Sequence, residues 1–538
     1  MGKKVIPLLI IVVLALVPRL VNFGTHGLFY WDEAYYALEA KTVPTVLHYV
    51  FNGNKQKSVA GLKSELIDKG CIFPTGVAKP GFITLLSIAS TVFGSRDYSG
   101  HLMSTLFSLL TLILVYVLSM RIYNNLYIAS TACLLMAVSG YDILYARNGL
   151  PLSACLFFFT LSILLLVSAY NRQWEIKHVF LSGITAGMAV TCHYTALVSS
   201  IFVMALIFVY SLIKEWKNTK FNSAVKNMGI YILGLLIIPV SYQIVYMLIK
   251  AFLGNKLEGI VAMTYFEYFA RQFGWTVQGL NIREAVTNYD VLFYIKAILL
   301  NNGWVFLYAL VTSVGYFLIK NFKKFNFIEA LLLINTAVIF VVWTMKPGVT
   351  VARLLSIIFP FTYIMLAKTG CDFYTGLKLP VLKAVVILIG VLVVIQNVVI
   401  AGVLINLKSG YPDVASFIKS TGETEVASLC AWPYMQFYLG KKVYANSDRL
   451  NTVKDILTMA KERKIKYLIK EFDINEYNHN ELEKEVTAIL RLKKPFKVFD
   501  HKYQIENIVI DNDPGAIKYL NEANLKKVYV YEIASVFK

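Results

Sequence analysis

The sequence has few charged residues and few cysteines for its length. Only 16% of its 538 residues are charged, whereas 57% are hydrophobic. Its six cysteines form no cluster with histidines of the kind that binds structural zinc. It also has no nucleic-acid-binding motif, no fixed-period repeat and no low-complexity tract. These absences exclude a zinc-finger protein and a repeat protein, and they give no support to nucleic acid as a partner.

The cysteines carry little information about the fold. Four of them fall in or beside long apolar runs, where cysteine is usually a small packing residue: Cys133, Cys155, Cys192 and Cys371. Cys71 and Cys430 fall in more polar segments. A disulfide between these two is possible, but their spacing does not decide it.

Apolar runs dominate what is present. Several are long enough to cross a hydrocarbon core of about 30 Å, so the sequence predicts an integral membrane protein. The net charge of +19 then reflects cationic cytoplasmic loops that face anionic membrane lipids. Residues 1–21 resemble a signal peptide, but Pro18 and Arg19 make a poor cleavage site, so we interpret the run as a retained first helix.

The pattern predicts a polytopic α-helical membrane protein with about eleven transmembrane helices. A first outer loop, 23–98, holds two predicted interfacial helices near 33–49 and 81–94, the second of which is short for a span. The predicted spans are 5–22, 100–120, 126–146, 151–170, 178–192, 194–213, 228–252, 291–319, 327–345, 353–370 and 380–405.

The distribution of Lys and Arg predicts the orientation. With 81–94 outside the membrane, the basic clusters all fall in cytoplasmic loops, as the positive-inside rule requires. The N-terminus is then cytoplasmic, the C-terminus is extracytoplasmic, and the plasma membrane is the expected location. The basic residues of the inner loops are Arg121, Arg172, Lys177, Lys214, Lys217, Lys220, Lys226, Lys320, Lys323, Lys324 and Lys378.

Two outer segments are longer than connectors. Residues 253–290 are rich in aromatic residues and are predicted to lie along the membrane surface. After residue 406 charge returns, and predicted strands alternate with predicted helices. The chain therefore divides into a membrane domain, 1–406, and an extracytoplasmic α/β domain, 407–538.

Two adjacent carboxylates, Asp32 and Glu33, stand among aromatic residues just after the first span. Such a pair can act as a general base, as ligands of a divalent cation, or as both. It can also be a solvated turn in which Asp32 caps the following helix. The two residues alone do not decide between these interpretations.

Four cationic side chains are predicted near the same outer surface: Lys79, Arg147, His193 and Arg353. Each by itself fits a side chain that extends from a helix end to the interface. Together they would surround an outward-facing cavity with positive charge, which suits a phosphate group. An anionic lipid headgroup is the expected ligand.

The order of these motifs resembles the GT-C membrane glycosyltransferases. It is most similar to the protein O-mannosyltransferases and the aminoarabinose-transferase-like enzymes, grouped as glycosyltransferase family 39. The similarity extends over residues 5–370 in layout. The motifs are Trp31-Asp32-Glu33-Ala34-Tyr35-Tyr36, Lys79-Pro80 before an apolar half-helix, Arg96 to His101, and Ala146 to Pro151.

The resemblance implies transfer of a sugar from a polyprenyl-phosphate donor to a hydroxyl acceptor, without a nucleotide cofactor. Asp32 would be the base, and Glu33 would assist it or help to hold a divalent cation. An inverting displacement needs such a base and charge stabilisation for the departing phosphate. Lys79 and Arg147 would bind that phosphate.

The remaining predicted contacts also follow from the resemblance. Arg353 and His193 are further candidates for the phosphate site. Tyr35 and Tyr36 either stack on sugar or anchor the helix at the interface.

One departure from the family pattern lies in the second outer loop. Many relatives carry an acidic residue near the position of Leu152, where this chain has none. The absence weakens the metal assignment and leaves room for an altered acceptor or a less active enzyme, and either Asp142 or Asp97 could substitute. A transporter or flippase and a noncatalytic scaffold for envelope assembly remain the alternative functions; the first would be expected to show paired broken helices or internal symmetry.

Overall fold

The computed structural model describes ten stretches of the chain. They are 2–51, 59–71, 79–215, 221–253, 292–345, 352–428, 432–444, 452–471, 481–500 and 527–537. Residues 254–290 of the predicted surface segment and Cys430 lie outside them. Cys71 is buried and is a free thiol.

The described part of the chain is mostly helical. The helices of the membrane part are α1 Gly2–Leu20, α2 Trp31–Phe51, α3 Val59–Asp68, α4 Pro80–Phe93, α5 Tyr98–Tyr123, α6 Leu126–Val138, α7 Gly140–Ala146, α8 Leu152–Asn171, α9 Ile176–Cys192, α10 Thr195–Glu215, α11 Phe221–Leu253, α12 Phe293–Asn302, α13 Trp304–Lys323, α14 Phe327–Leu333, α15 Ile339–Met345, α16 Phe359–Gly376 and α17 Pro380–Leu404. Short 3-10 segments precede α2 and α16, and a π-helical turn joins α14 to α15.

Nine stretches of the described residues are long and apolar enough to span a membrane. The bent pair α6 and α7, which meet at 59°, makes a tenth if it counts as one span. Helix α9 coincides with another predicted span but has only 17 residues. The chain is therefore a multi-pass membrane protein, as the sequence predicts.

The predicted span 291–319 is wrong in one respect. The predicted helix is interrupted at Gly303, which has a φ of 85° and separates α12 from α13. A side chain at Gly303 would collide with Gln396. Gln396 accepts a hydrogen bond from the N–H of Val305 at 3.2 Å, in the first turn of α13. The span proper is α13 alone.

The segment predicted to be the first outer loop, 23–98, contains the two helices that the sequence predicts. Helix α2 contains the predicted helix 33–49, and α4 has 14 residues, too few to cross the membrane. Pro80 stands at the first position of α4, where its missing N–H costs nothing and its fixed φ favours the helix. Helices α2 and α4 pack against each other. Their contact brings Lys79, the residue before Pro80, to the face of α2.

A four-stranded sheet follows the membrane helices. Its strands are β1 Ala427–Ser428, β2 Tyr467–Glu471, β3 Lys497–Asp500 and β4 Lys527–Glu532, in the order β1-β2-β4-β3. Strand β1 is parallel to β2, and β4 is antiparallel to both of its neighbours. The helices of this region are α18 Tyr411–Ser420, α19 Trp432–Leu439, α20 Val453–Arg463, α21 Glu481–Arg491 and α22 Ile533–Val536. The sequence predicts strands at 425–430, 466–469 and 527–533 and helices at 434–439 and 452–464. These overlap β1, β2, β4, α19 and α20.

The sheet region shares a hydrophobic core with the first outer loop. Leu28, Ala34 and Leu38 are fully buried, in one cluster with Tyr411 and Met435 of the C-terminal region. Buried apolar surface contributes about 25 cal/mol per Å². The start of α2 is therefore held between the membrane helices and the C-terminal region.

Candidate active site

The helical repeat of α2 separates the two adjacent carboxylates. Successive residues of an α-helix differ by about 100° around the axis, so positions i, i+4 and i+7 share a face. Asp32, Tyr36 and Glu39 have this spacing, whereas Glu33 points to another side. The side chain of Asp32 is 31% exposed, whereas Glu33 is 1% exposed.

Asp32 forms an ion pair with Arg353. Its Oδ2 lies 2.7 Å from Nη1 of Arg353, whose side chain is 14% exposed. Burial acts to raise the pKa of Asp32, but the charges of Arg353 and Lys79 and the hydrogen bond from Arg353 outweigh it and lower the pKa below its usual value of 3.8. Asp32 is therefore a carboxylate at neutral pH. It can accept a proton only if that pairing loosens.

Lys79 completes this cluster. Its ammonium group, on a side chain that is nearly buried, donates a hydrogen bond of 2.5 Å to the hydroxyl of Tyr36. It also lies 4.7 Å from the centre of the Tyr36 ring. Tyr36 packs edge-on against Phe82 of α4. Asp32, Tyr36, Lys79 and Arg353 form what we call the charged cluster.

His193 lies beside Tyr194, a neighbour of the charged cluster. It is buried at the end of α9, and its Nδ1 is 3.0 Å from the hydroxyl of Thr195. Its ring stacks on Tyr194 with 4.6 Å between centroids. Tyr194 in turn interacts electrostatically with Arg353 and Asp32, and burial raises its pKa to about 12. His193 is thus linked to the charged cluster through Tyr194.

Glu33 holds the first outer loop in place. Its Oε1 accepts hydrogen bonds from Nε2 of His101 at 2.6 Å and from the N–H of Gly149 at 2.5 Å. Its Oε2 accepts from the N–H of Phe29 at 2.9 Å and from that of Tyr30 at 3.4 Å. Both oxygens thus accept from donors of α5, of the second outer loop and of the two residues before α2. A carboxylate in these bonds is a positioning group, and its predicted role as assistant base or metal ligand stays a prediction.

His26 extends the contacts around Glu33. Its Nδ1 donates to the carbonyl of Leu407 at 3.1 Å, and its Nε2 lies 3.3 Å from the side chain of Asn148. The rings of His26 and His101 meet edge to face at 5.2 Å. The backbone carbonyl of His26 accepts a hydrogen bond from the N–H of Ser409. These contacts join the first outer loop to the segment that leads into the C-terminal region.

Arg147 is held outside the charged cluster. Its Nη1 donates to the carbonyls of Pro18 at 2.9 Å and Val21 at 2.7 Å, and its Nη2 donates to that of Ile405 at 3.4 Å. These are carbonyls at the C-terminal ends of α1 and α17, which an arginine stabilises. Arg147 thus links the C-terminal ends of these two helices. Its predicted role in phosphate binding stays a prediction.

Tyr35 belongs to an aromatic group at the start of α2. Its ring is stacked on Trp31 at 5.2 Å, and Trp432 of α19 meets both rings edge-on, at 6.3 Å and 5.8 Å. Trp31 is 41% exposed. These contacts join α2 to the C-terminal region, whereas Tyr36 faces Lys79.

The two carboxylates considered as substitutes at the second outer loop are both engaged elsewhere. Asp142 is buried in α7 and accepts a hydrogen bond of 2.7 Å from the hydroxyl of Tyr363. Asp97 caps α5 through the N–H of Tyr98 and accepts from the hydroxyl of Tyr438. Leu152 is itself buried. The structure thus supplies no second acidic side chain from these positions to Asp32.

The described residues do not fit a resident metal ion. No group of three or more His, Cys, Asp or Glu side chains is placed to hold one within the part of the chain that the structure describes. Asp32 is paired with Arg353, and the oxygens of Glu33 are occupied by N–H donors. We therefore derive no step through a metal.

The sequence reasoning missed three features of this site. Glu39 lies on the face of α2 that carries Asp32, a position that the i, i+7 spacing of a helix would have indicated. His101 stands in the motif that opens α5, yet no local signal connects it to Glu33, 68 residues away. Tyr194 follows His193 directly and was not distinguished from its apolar neighbours.

Comparison with known proteins supports the resemblance. The family profile described as dolichyl-phosphate-mannose-protein mannosyltransferase matches residues 78–243. No curated protein sequence matches the chain.

Solved structures match over most of the chain. ArnT from Cupriavidus metallidurans bound to undecaprenyl phosphate is 10% identical, with a TM-score of 0.57, and 97% of each chain is covered. The archaeal oligosaccharyltransferase AglB from Archaeoglobus fulgidus, in complex with an inhibitory peptide and a dolichol-phosphate, is 13% identical, with a TM-score of 0.56 over 88% of this chain and 70% of that one. Another structure of the Archaeoglobus fulgidus oligosaccharyltransferase is a complex with Zn and sulfate. Both proteins belong to the GT-C glycosyltransferases, and this chain has their fold.

Proposed function

We propose that this chain with the GT-C fold is a glycosyltransferase that moves a sugar from a polyprenyl-phosphate-linked donor to a hydroxyl acceptor. The acceptor would be a protein, a lipid or a surface glycan at the extracytoplasmic face of the plasma membrane. The observation that carries the proposal is the ion pair of Asp32 with Arg353 beside Lys79. One anion beside two cations suits a base and a phosphate-binding site.

The choice of donor draws support from the fold and from charge. The structures of ArnT and AglB hold undecaprenyl phosphate and a dolichol-phosphate, respectively. In this chain Lys79 and Arg353 supply two positive charges next to a single carboxylate. The phosphodiester of a polyprenyl-phosphate sugar carries one negative charge, which would balance that excess. The departing phosphate monoester gains further negative charge, which the same two cations would stabilise.

The proposed reaction is a single inverting displacement. The acceptor hydroxyl attacks the anomeric carbon of the sugar, and its proton passes to the carboxylate of Asp32. The bond between the anomeric carbon and the phosphate oxygen breaks with its electron pair on that oxygen. Polyprenyl phosphate leaves as an anion that Lys79 and Arg353 stabilise, which lowers the barrier where the charge develops.

Arg353 would have two partners during this cycle. Without donor it pairs with Asp32 and keeps the pKa of that carboxyl low, which makes the carboxylate a weak base. A donor phosphate competes for the same guanidinium. As Arg353 turns towards the phosphate, Asp32 loses stabilisation of its anion and becomes more basic. Donor binding would thus activate the base.

The decisive experiment replaces Asp32 with Asn in the full-length membrane protein. Transfer is measured in membranes with a panel of radiolabelled polyprenyl-phosphate sugars. We expect a loss of at least about 100-fold, the size of a general-base contribution. Undiminished transfer by Asp32→Asn would rule out the base assignment.

The matched control is Asp413→Asn. Asp413 also pairs with a cation, Lys408, but its side chain is 50% exposed in the C-terminal region. This control should transfer sugar at the wild-type rate. The proposed orientation is tested separately: a cysteine introduced at 96–98 should react with an impermeant thiol reagent from outside, and labelling only from the cytoplasmic side would overturn it.

A further inference from the structure

Glu39 is a buried carboxyl group without a hydrogen-bond partner for its Oε1. The residue is 2% exposed. Its Oε1 has no partner among the described residues. Nearly all buried polar atoms in proteins are hydrogen-bonded, so an exception of this kind points to a group that is bound only at another stage of function.

The position of Glu39 relates it to the charged cluster. It lies seven residues after Asp32 and three after Tyr36, on the same face of α2. Tyr36 accepts the hydrogen bond from Lys79, and Lys79 interacts electrostatically with both Asp32 and Glu39. The ammonium group of Lys79 is therefore the common neighbour of all three side chains.

The surroundings favour the protonated form of Glu39. Burial raises the pKa of Glu39 to about 8, although the charge of Lys79 opposes the rise. Helix α2 packs against α4, α19 and α11. Among the described residues of these elements and of the segment before α4, Lys79 is the charged group that acts on Glu39. At neutral pH the side chain is then a carboxylic acid with an O–H to donate.

A neutral acid and a carboxylate behave in opposite ways towards phosphate. The carboxylate would repel it, whereas a protonated carboxyl donates a hydrogen bond to a phosphate oxygen. Lys79 alone offers a point charge with donors that rotate. A second donor, fixed on the rigid α2, would orient the phosphate as well as attract it.

We propose that Glu39, in its protonated form, is a ligand of the donor phosphate and binds it together with Lys79. The inference rests on the proposed function, because it names a further residue of the same donor site. Glu39 would donate its O–H to a phosphate oxygen of the polyprenyl-phosphate group. Its ionisation would replace that donor with a negative charge and weaken binding.

The test measures binding of undecaprenyl phosphate to the purified full-length protein in nanodiscs, between pH 7 and pH 9. In the wild type we expect affinity to fall about tenfold per pH unit once the pH exceeds about 8. Glu39→Gln keeps a donor and cannot ionise. It should bind within about twofold of the wild type at pH 7 and lose the fall at high pH.

Glu39→Ala removes the donor altogether. It should bind about tenfold more weakly at pH 7, with no further fall up to pH 9, as expected for one lost hydrogen bond to a charged group. The matched control is Glu65→Gln, a carboxyl of the first outer loop that pairs with Lys69. Its binding should follow the wild type at every pH. If Glu39→Gln and Glu39→Ala both kept the affinity and pH profile of the wild type, the inference would be overturned.

Two further arms separate this inference from the proposed function. Lys79→Ala should abolish binding of the lipid phosphate. If it does and the Glu39 variants bind as the wild type does, Glu39 alone is misassigned. If Lys79→Ala binds normally, the donor site itself is wrong. In the second arm, inorganic phosphate is added at the same concentration as the lipid. If it displaces undecaprenyl phosphate, the site binds free phosphate and the lipid assignment is overturned.

Discussion

Nε2 of His101 lies 2.6 Å from Oε1 of Glu33, and both side chains are only 1% exposed. This pair joins the start of α2 to α5. The N–H of Gly149 donates to the same oxygen, so the second outer loop is fixed at that point too. The adjacent Asp32 is thereby held in a fixed position relative to α5 and Gly149.

Glu33→Ala should therefore destabilise the protein strongly. It leaves the N–H groups of Gly149 and Phe29 without their acceptor and removes the partner of His101. Each buried donor left without its acceptor costs about 1 to 3 kcal/mol. The melting temperature of the detergent-purified protein checks this. Glu175→Ala, which breaks an exposed pair with Arg172, should leave the melting temperature unchanged, and equal melting temperatures for both variants would contradict the role of Glu33.

Arg353→Gln should move the acid limb of the pH profile of transfer. Asp32 is the base in its ionised form, and Arg353 helps to hold its pKa below 3.8. In the wild type, activity is then retained as the pH falls until it passes through that lowered pKa. Without the guanidinium the pKa of Asp32 rises, so activity is lost at a higher pH.

The measurement is kcat/KM of transfer against pH for both proteins, normalised to each maximum. This quantity reports the pKa of Asp32 in the free enzyme, where Arg353 pairs with it. The maximum itself should also fall in the variant, because Arg353 is proposed to stabilise the leaving phosphate. An unchanged acid limb in Arg353→Gln would show that Asp32 is not the group whose protonation abolishes activity.

Gly81→Ala should displace the start of α4. A Cβ at Gly81 would lie 2.3 Å from the hydroxyl oxygen of Thr191 in α9, and 3.0 Å from its Cβ. Helix α4 would have to move away, and Lys79 stands two residues before the altered position. We expect weaker binding of polyprenyl phosphate by about tenfold, with partial recovery in the double variant with Thr191→Ala. Gly390→Ala, where the added carbon meets nothing within 4 Å, is the control. Full affinity in Gly81→Ala would show that the contact between α4 and α9 does not position Lys79.

Tyr438→Phe tests the join between the C-terminal region and the first outer loop. The Tyr438 hydroxyl accepts from the N–H of Leu28 at 2.9 Å and donates to Asp97 at 3.0 Å. Its loss leaves a buried N–H unpaired, which costs about 1 to 3 kcal/mol. A lower melting temperature and reduced transfer are expected together. Tyr127→Phe, at a tyrosine that is 79% exposed, should change neither.

Long-range contacts explain what was predicted and what was not. The start of α4 at Lys79-Pro80 and the helix that begins at Trp31 follow from local signals, and both are present. The break at Gly303 was not predicted, because it depends on Gln396 of α17, 93 residues away. The predicted role of Arg147 in phosphate binding comes from a local motif. Its hydrogen bonds to carbonyls just after α1 and α17 join distant parts of the chain, so the sequence does not indicate them.

By itself the sequence determined that the chain is a multi-pass helical membrane protein with a small sheet after its last span, because apolar runs and residue periodicity are local properties. It also singled out Asp32, Lys79 and Arg353, which the structure brings together. Only the tertiary structure decided which environment each of the two neighbouring carboxylates has. Asp32 faces two cations in a half-buried cluster, and Glu33, one residue on, is buried among N–H donors. The physical reason is that a helix turns adjacent side chains about 100° apart, so packing partners distant in the chain give each carboxylate its environment and its chemistry.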